Sequence, residues 1–331
     1  MRVFITGGSG FIGSHLVEKY LRQGDEVAVY DNLSLGRREL LGEGLKSPRL
    51  RFIEADLLDL DRLKRSIAGY DLVYHMAANS DISNGSRVTD VDLRNGTLAT
   101  YSTLEAMRLS GVKRLVFAST SAIYGEAARK PTPEDYGPLF PISFYGASKL
   151  ACEGLCSAFS HNHGIQVWAY RFANIVGPRS THGAIHDFVA RLLAAPEELR
   201  VLGDGSQRKS YLYVADCVAG MESGMLASSE PFQLFNLASS GVTNVKFIAE
   251  ETVAALEPVT GVRARIIFGE GDRGWTGDVP YTHLDGSRLE SLGWKASLES
   301  DAAVRRAIGE VVAEKASAWR AAGGRAAGGR S

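Results

Sequence analysis

The sequence predicts an α/β protein built on a doubly wound parallel sheet, and three observations predict it. A short apolar strand at residues 1–6 runs into Gly7, Gly10 and Gly13, and a helical stretch follows at 14–22. Strands and helices then alternate through the first half of the chain, the pattern that packs helices on both faces of a parallel sheet. An acid, Asp31, closes the second strand about 18 residues beyond Gly13, near the spacing of a dinucleotide-binding unit.

Each element has its own reason. Val3, Phe4 and Ile5 are apolar without alternation, as a strand covered on both faces requires. The G-x-x-G-x-x-G turn lets the backbone bend tightly and approach a pyrophosphate. The helix behind it offers free N–H groups and a partial positive charge. Residues 26–30 form the second strand, 50–54 a strand, 59–68 a helix, 72–76 a strand and 95–110 a helix. A strand at 114–118, a helix at 148–161 and a strand at 166–171 follow. Ligands of such sheets lie at the carboxyl ends of the strands, here Gly7, Asp31, Asp56, Ala77, Ser119 and Phe172. After Gly177-Pro178 the pattern changes to loops, helices and short strands. The division expected is a sheet domain over 1–173, with returning segments near 211–240, and a smaller C-terminal substrate domain over 174–320. The end, 321–331, repeats Ala-Ala-Gly-Gly-Arg, has no apolar face to bury, and is expected to be a flexible tail.

The 331 residues suffice for one large or two modest domains, and the net charge of −1 gives no electrostatic case for nucleic acid or an anionic membrane as partner. No signal peptide or apolar run of membrane-spanning length is visible, and the expected location is cytoplasmic. Cys152, Cys156 and Cys217 form no even disulfide framework, which suits a reducing compartment. Cys152 and Cys156 share a helix face and read as core. His75, His182 and His186 lack metal-ligand spacing, so no metal is expected.

The chemistry enters at Tyr145-Gly-Ala-Ser-Lys149. Four residues apart on a helix, the phenol and the ammonium share one face. A tyrosine titrating near ~10 must come down by ~3 units, or ~4 kcal/mol, to act as a base at neutral pH. A neighbouring ammonium and a positively charged nicotinamide together would supply that. Asp31 accepts hydrogen bonds from ribose hydroxyls and repels a 2′-phosphate, so the cofactor expected is NAD rather than NADP.

With these features in place the chain resembles the extended short-chain dehydrogenase/reductase family, a Rossmann fold, and within it the UDP-sugar 4-epimerases of UDP-galactose 4-epimerase type. The resemblance runs from Met1 to about Trp294. It rests on Thr6-Gly-Gly-Ser-Gly-Phe-Ile-Gly13, Asp31-Asn32, Ala55-Asp56-Leu57, His75-Met76-Ala77-Ala78-Asn79, Ser119 to Gly125, Tyr145 with Lys149, Arg171-Phe172-Ala173-Asn174, Gly177-Pro178, Gly203-Asp204-Gly205 and Leu292-Gly293-Trp294.

The resemblance implies a catalytic set of Thr120, Tyr145 and Lys149. In it the Thr120 hydroxyl binds the reacting sugar hydroxyl and relays its proton to Tyr145, while Lys149 holds the nicotinamide ribose and lowers the tyrosine pKa. It implies an NAD site lined by Gly7, Gly10, Phe11, Ile12, Asp31, Asn32, Asp56, Leu57, Ala77, Asn95 and Phe172, together with Tyr145 and Lys149. Ser80 stands where the hexose epimerases often carry a lysine. For the UDP-sugar it implies Thr120, Ser121 and Asn174, the loop 181–188 with Ile185, and Val201-Leu202 at the uridine. The family's two diphosphate arginines fall at Lys209, with Arg208 beside it, and at Trp275, with Arg273 the nearest substitute. A lysine binds phosphate but does not make the bidentate fork. Family members are often dimers packed through two helices, which 95–110 and 148–161 match, so a homodimer is expected.

Inverting C4 needs one acid/base, Tyr145, and a cofactor that stays bound. Dehydratases of the family carry Thr-Asp-Glu in the Ser119 segment, and UDP-glucuronate decarboxylases a glutamate at the Ala122 position. Thr120-Ser121-Ala122 has neither carboxylate, so C4 epimerisation through a 4-keto intermediate is the expected reaction. Helical spacing at 183–193 places Arg191 among apolar positions. There it reads either as a solvated cation or as the partner of a C6 carboxylate. The second reading makes UDP-glucuronic acid the first expectation for the substrate and the UDP-glucose/UDP-galactose pair the alternative. A non-catalytic NAD-binding regulator on the same fold is a further alternative, against which the intact Thr120/Tyr145/Lys149 set argues.

Overall fold

The computed structural model describes residues 1–321. Of the expected tail, Ala321 closes the last helix, and 322–331 lie outside the described residues. The chain runs β1 (Arg2–Thr6), α1 (Phe11–Arg22), β2 (Glu26–Asp31), β3 (Leu50–Glu54), α2 (Leu60–Ile67), β4 (Leu72–His75), α3 (Ala99–Ser110), β5 (Arg114–Thr120), α4 (Phe144–His163) and β6 (Gln166–Phe172). It continues with β7 (Asn174–Val176), α5 (Ala184–Ala194), β8 (Glu198–Val201), β9 (Arg208–Lys209), β10 (Tyr211–Tyr213), α6 (Val214–Leu226), β11 (Phe232–Leu237), β12 (Thr243–Asn244), α7 (Val245–Thr260), β13 (Arg265–Phe268), β14 (Tyr281–Thr282), α8 (Ser287–Glu290) and α9 (Ser300–Ala321).

Seven strands form one all-parallel sheet in the order β11-β6-β5-β4-β1-β2-β3. This is the doubly wound sheet the sequence predicts, with the chain reversing direction of travel between β1 and β4. Successive side chains of a strand point to opposite faces, and both faces are covered. Val3 and Ile5 enter one core with Leu16, Val17 and Tyr20 of α1 and Met221 of α6. Phe4 enters the other with Leu63 and Ile67 of α2, Leu104 of α3, and Cys152 and Cys156 of α4. That two-sided burial is why β1 reads as an unbroken apolar run. The three cysteines are buried and unpaired, and burial pushes their thiols up.

A third core gathers Val176, Phe188 and Leu192 with Ile248, Leu256, Val304 and Ile308, so α5, α7 and α9 pack on one another. Small pairings flank it: β7 with β10, β8 with β13, and β9 between β12 and β14. Among the described residues no helix is long and apolar enough to cross a membrane.

Helix limits differ from those expected; α1 starts at Phe11 rather than at 14. The helix expected from 148 starts at Phe144, because Ser143 accepts a hydrogen bond from the Gly146 N–H and caps it. Tyr145 and Lys149 are therefore both helical. The helix expected from 95 is entered through a π-helical turn, Leu93–Leu98. The wider turn lets Gly96 pack directly on the Ser148 hydroxyl, which donates to the Asp92 carbonyl at 2.7 Å.

Candidate active site

The glycine turn joins β1 to α1. Gly7 has φ +67°, and a Cβ there would lie 2.7 Å from the Ala77 nitrogen, so only glycine lets β1 pass this close to the end of β4. A side chain at Gly13 would run into the Gly7 carbonyl. Gly10 caps α1 without a side-chain hydrogen bond, and the first turn holds no acid, which leaves its N–H groups available to an anion. The buried Ser9 hydroxyl has no partner among the described residues.

Beside this turn, Asp31 accepts from the Ser9 N–H through one oxygen and the Leu33 N–H through the other, each at 2.9 Å. Burial raises its carboxyl above the usual range, and the two N–H donors oppose that. Each oxygen keeps a lone pair for a ribose hydroxyl. Asn32 donates to Asp56 at 3.0 Å, and Asp56 accepts from the Leu58 N–H at 2.9 Å. Gly7, Gly10, Asp31, Asn32, Asp56 and Ala77 thus share the carboxyl-end rim of β1, β2, β3 and β4, a donor and acceptor set that fits a dinucleotide. Four expected lining residues are placed otherwise. The Phe11 side chain is in the third core, and Leu57 packs in the core behind the sheet, so either can reach a ligand only through backbone. Ile12 is half-buried against the first core, and Asn95 is exposed on the π-helical turn.

The reactive groups lie on α4 and β5. The Thr120 hydroxyl lies close enough to the Tyr145 phenol to favour its ionised form, and it accepts from the Ala122 N–H at 3.2 Å. Lys149 is buried; its Nζ donates to the Ala118 carbonyl at 2.7 Å and lies 5.9 Å from the Tyr145 ring centre. Its ammonium thus bonds the backbone of β5. Burial pushes Tyr145 well up and the nearby Asp92 charge adds to that, with the Thr120 hydroxyl opposing. Burial likewise pushes Lys149 down. Ser121, half-buried, opens the short turn after β5, and Phe172 pairs with Thr120 across the sheet.

His75 is a core residue. It bonds Thr6 at 2.7 Å and Thr100 at 3.0 Å, and burial pushes it down to about 3. Among the described residues no group of His, Cys, Asp and Glu could hold a metal ion.

On the substrate side, Asn174 pairs with Tyr211 in the β7–β10 register, and its side chain opposes the burial that raises the Tyr211 phenol. Both expected diphosphate cations hold carboxylates: Lys209 donates to Asp278 at 2.5 Å, and Arg273 pairs with Glu126 while donating to the Asp278 carbonyl at 2.7 Å. Arg191 is exposed, and its guanidinium donates to the Arg200 carbonyl at 3.1 Å. Of the residues expected at the uridine, Ile185 and Val201 have side chains buried in the third core, while Leu202, in the bend just after β8, is exposed.

Sequence reading missed Glu153. It lies eight residues after Tyr145, on the same helix stripe, and that spacing is the signal that would have found it.

The family profile described as the NAD dependent epimerase/dehydratase family matches residues 3–238. The chain is similar to the UDP-glucose 4-epimerase of Mycolicibacterium smegmatis, 31% identical over 303 residues that cover 89% of this chain and 93% of the relative. A crystal structure of a UDP-galactose 4-epimerase superposes with a TM-score of 0.84 at 38% identity, covering 95% of this chain and 99% of that one. A UDP-glucuronic acid 4-epimerase from Bacillus cereus, solved with UDP-glucuronic acid and NAD, superposes with a TM-score of 0.81 at 25% identity, covering 94% and 99%. The glycine turn on β1, Asp31 at the end of β2 and the Thr120–Tyr145 pair are thus seen on a chain that belongs to the NAD-dependent epimerase/dehydratase family.

Proposed function

We propose that this chain, an NAD-dependent UDP-sugar 4-epimerase, acts on UDP-glucuronic acid and inverts C4 through a 4-keto intermediate to give UDP-galacturonic acid. The observation that carries the reaction is the placing of Thr120, at the end of β5, beside Tyr145 of α4, followed by Ser121 and Ala122 with no carboxylate. In this reading the Thr120 hydroxyl holds the C4 hydroxyl and passes its proton to the Tyr145 oxygen. Tyr145 keeps that proton while C4 is a ketone and returns it to the alkoxide on the other face, so no net proton is consumed. Bound NAD would supply the acceptor and donor of the C4 hydride, and its nicotinamide would bring a positive charge to the site. That charge offsets the burial that holds the phenol high, and Lys149 adds a second one from the floor of the site.

Arg191 supports the uronate. Lys209 and Arg273 already hold carboxylates, whereas among the described residues Arg191 bonds only a backbone carbonyl. Its helix packs through Ile185 and Phe188 in the same core as Tyr211, the partner of Asn174. Similarity to the Bacillus cereus enzyme is consistent with this reading. The UDP-glucose/UDP-galactose reading is the alternative, favoured by the exposure of Arg191 and by its bond to Arg200, which it must leave to meet a C6 carboxylate. Incubating the purified protein with UDP-glucuronic acid, UDP-glucose and UDP-N-acetylglucosamine separately, and resolving the C4 epimers, tests both. Inversion of UDP-glucose in preference to the uronate defeats the first reading, and inversion of none defeats the reaction.

A further inference from the structure

Glu153 takes no part in the chemistry above, yet it carries a charge into the interior, where it is 6% exposed. It lies one turn beyond Lys149 and two beyond Tyr145, so the three form one stripe of α4. That stripe engages three successive residues of β5. Tyr145 meets Thr120, Lys149 donates to the Ala118 carbonyl, and between them the Ser119 hydroxyl donates to Glu153 at 2.5 Å.

The same carboxylate accepts a two-pronged guanidinium. Arg171, which pairs with Ser119 in the β5–β6 register, donates to Glu153 at 3.1 and 2.8 Å. The remaining arm of Arg171 donates to the Tyr124 hydroxyl at 2.8 Å and to the Glu134 carbonyl at 3.0 Å. Tyr124 in turn donates to Asn236 of β11 at 2.7 Å, and the Asn236 amide donates to the Thr132 and Asp285 carbonyls at 2.9 Å each. One connected set of bonds therefore fixes α4 against the ends of β5, β6 and β11.

Such a pair is a poor source of stability. The cost of removing two charges from water roughly cancels their attraction, and an apolar replacement of similar volume is often neutral or better. A fully satisfied buried network does supply a single register. Proton relay between Thr120 and Tyr145 needs that, because a displacement of about 1 Å costs on the order of 10²-fold in rate. We propose that Glu153, held by Arg171, is a positioning residue that sets the register of α4 on β5 at which Tyr145 and Thr120 meet. The inference rests on the epimerase reading above.

The test is the double variant Glu153→Met/Arg171→Leu, which removes both charges together and leaves neither orphaned. The expected result is a folded protein that keeps its NAD, with KM for the UDP-sugar within about twofold of wild type and kcat lower by about 10²-fold. Glu153→Asp, which keeps the charge but withdraws it by one methylene, is expected to fall between. In crystal structures of both proteins, the Thr120 and Tyr145 hydroxyls are expected to stand further apart in the double variant than in wild type. If the double variant does not fold, Glu153→Gln carries the same measurements. A folded variant with wild-type kcat and an unchanged Thr120–Tyr145 distance overturns the proposal, and so does a rate loss matched by loss of NAD or an equal rise in KM. Wild type is assayed alongside on the same sugar. Its failure to epimerise counts against the functional reading, while the crystallographic distance still judges the positioning.

Discussion

The ammonium of Lys149 is bound to the Ala118 carbonyl at 2.7 Å, two residues before Thr120, and not to the phenol of Tyr145 four residues away on the same helix. The lysine therefore forms part of the contact between α4 and β5. Its charge reaches Tyr145 across 5.9 Å to the ring centre, in surroundings where burial opposes both the phenolate and the ammonium. In the proposed mechanism, the cofactor's positive charge would help to make Tyr145 a base.

Tyr145→Phe removes the group proposed to hold the C4 proton. Turnover is expected to fall by about 10²–10⁴-fold or more, the range of a lost general acid/base, with NAD and UDP-sugar binding retained. Thr120→Ala should lose less, because water can partly replace a relaying hydroxyl. Steady-state kinetics beside calorimetric titration checks both, and a near-normal Tyr145→Phe rate defeats the proposed relay.

Asp31→Asn keeps the shape but gives up one acceptor oxygen in a place where both oxygens take backbone N–H groups. NAD affinity is expected to drop by about 1–3 kcal/mol, the cost of a broken buried hydrogen bond. The preference for NAD over NADP should narrow, since the negative charge that repels a 2′-phosphate is gone. Calorimetry with the two cofactors measures both effects, and an unchanged ratio of affinities removes Asp31 from cofactor choice.

Arg191→Ala should raise KM for UDP-glucuronic acid while leaving UDP-glucose almost untouched. A charge-assisted hydrogen bond contributes roughly 1.5–3 kcal/mol, so the ratio of specificity constants should shift by about 10- to 150-fold. Small, equal effects on the two sugars would place Arg191 among the solvated helix residues and favour the neutral hexose.

His75 predicts a pH dependence. Burial holds it at about 3, below the ordinary histidine value of 6.5, so the native imidazole stays neutral while the unfolded one gains a proton below about 6.5. The depressed pKa contributes stability that is full above about 6.5 and is lost as pH falls toward about 3. The slope approaches about 1.4 kcal/mol per pH unit from this one group. Urea unfolding between pH 7 and 4.5 should show the slope, and His75→Gln should remove that part of it. An identical slope in both proteins would mean that other groups carry it.

How much of this was legible in the residues depends on how local each signal is. The glycines, the apolar run of β1, Asp31 and the four-residue step from Tyr145 to Lys149 are patterns within one element or across one turn. The rules of strand and helix geometry read such patterns directly, and they suffice for the sheet and its family. Docking between elements leaves no local trace. Nothing near Lys149 says that its ammonium will meet the Ala118 carbonyl, and nothing near Glu153 says that Ser119 and Arg171 will close on it. Nor does the alternation along β8 say which face looks inward until the third core packs on it, burying Leu199 and Val201 and leaving Arg200 outward. Those outcomes come from packing helices on a sheet, where burial raises the cost of every unpaired charge, and partners far apart in the chain must meet it.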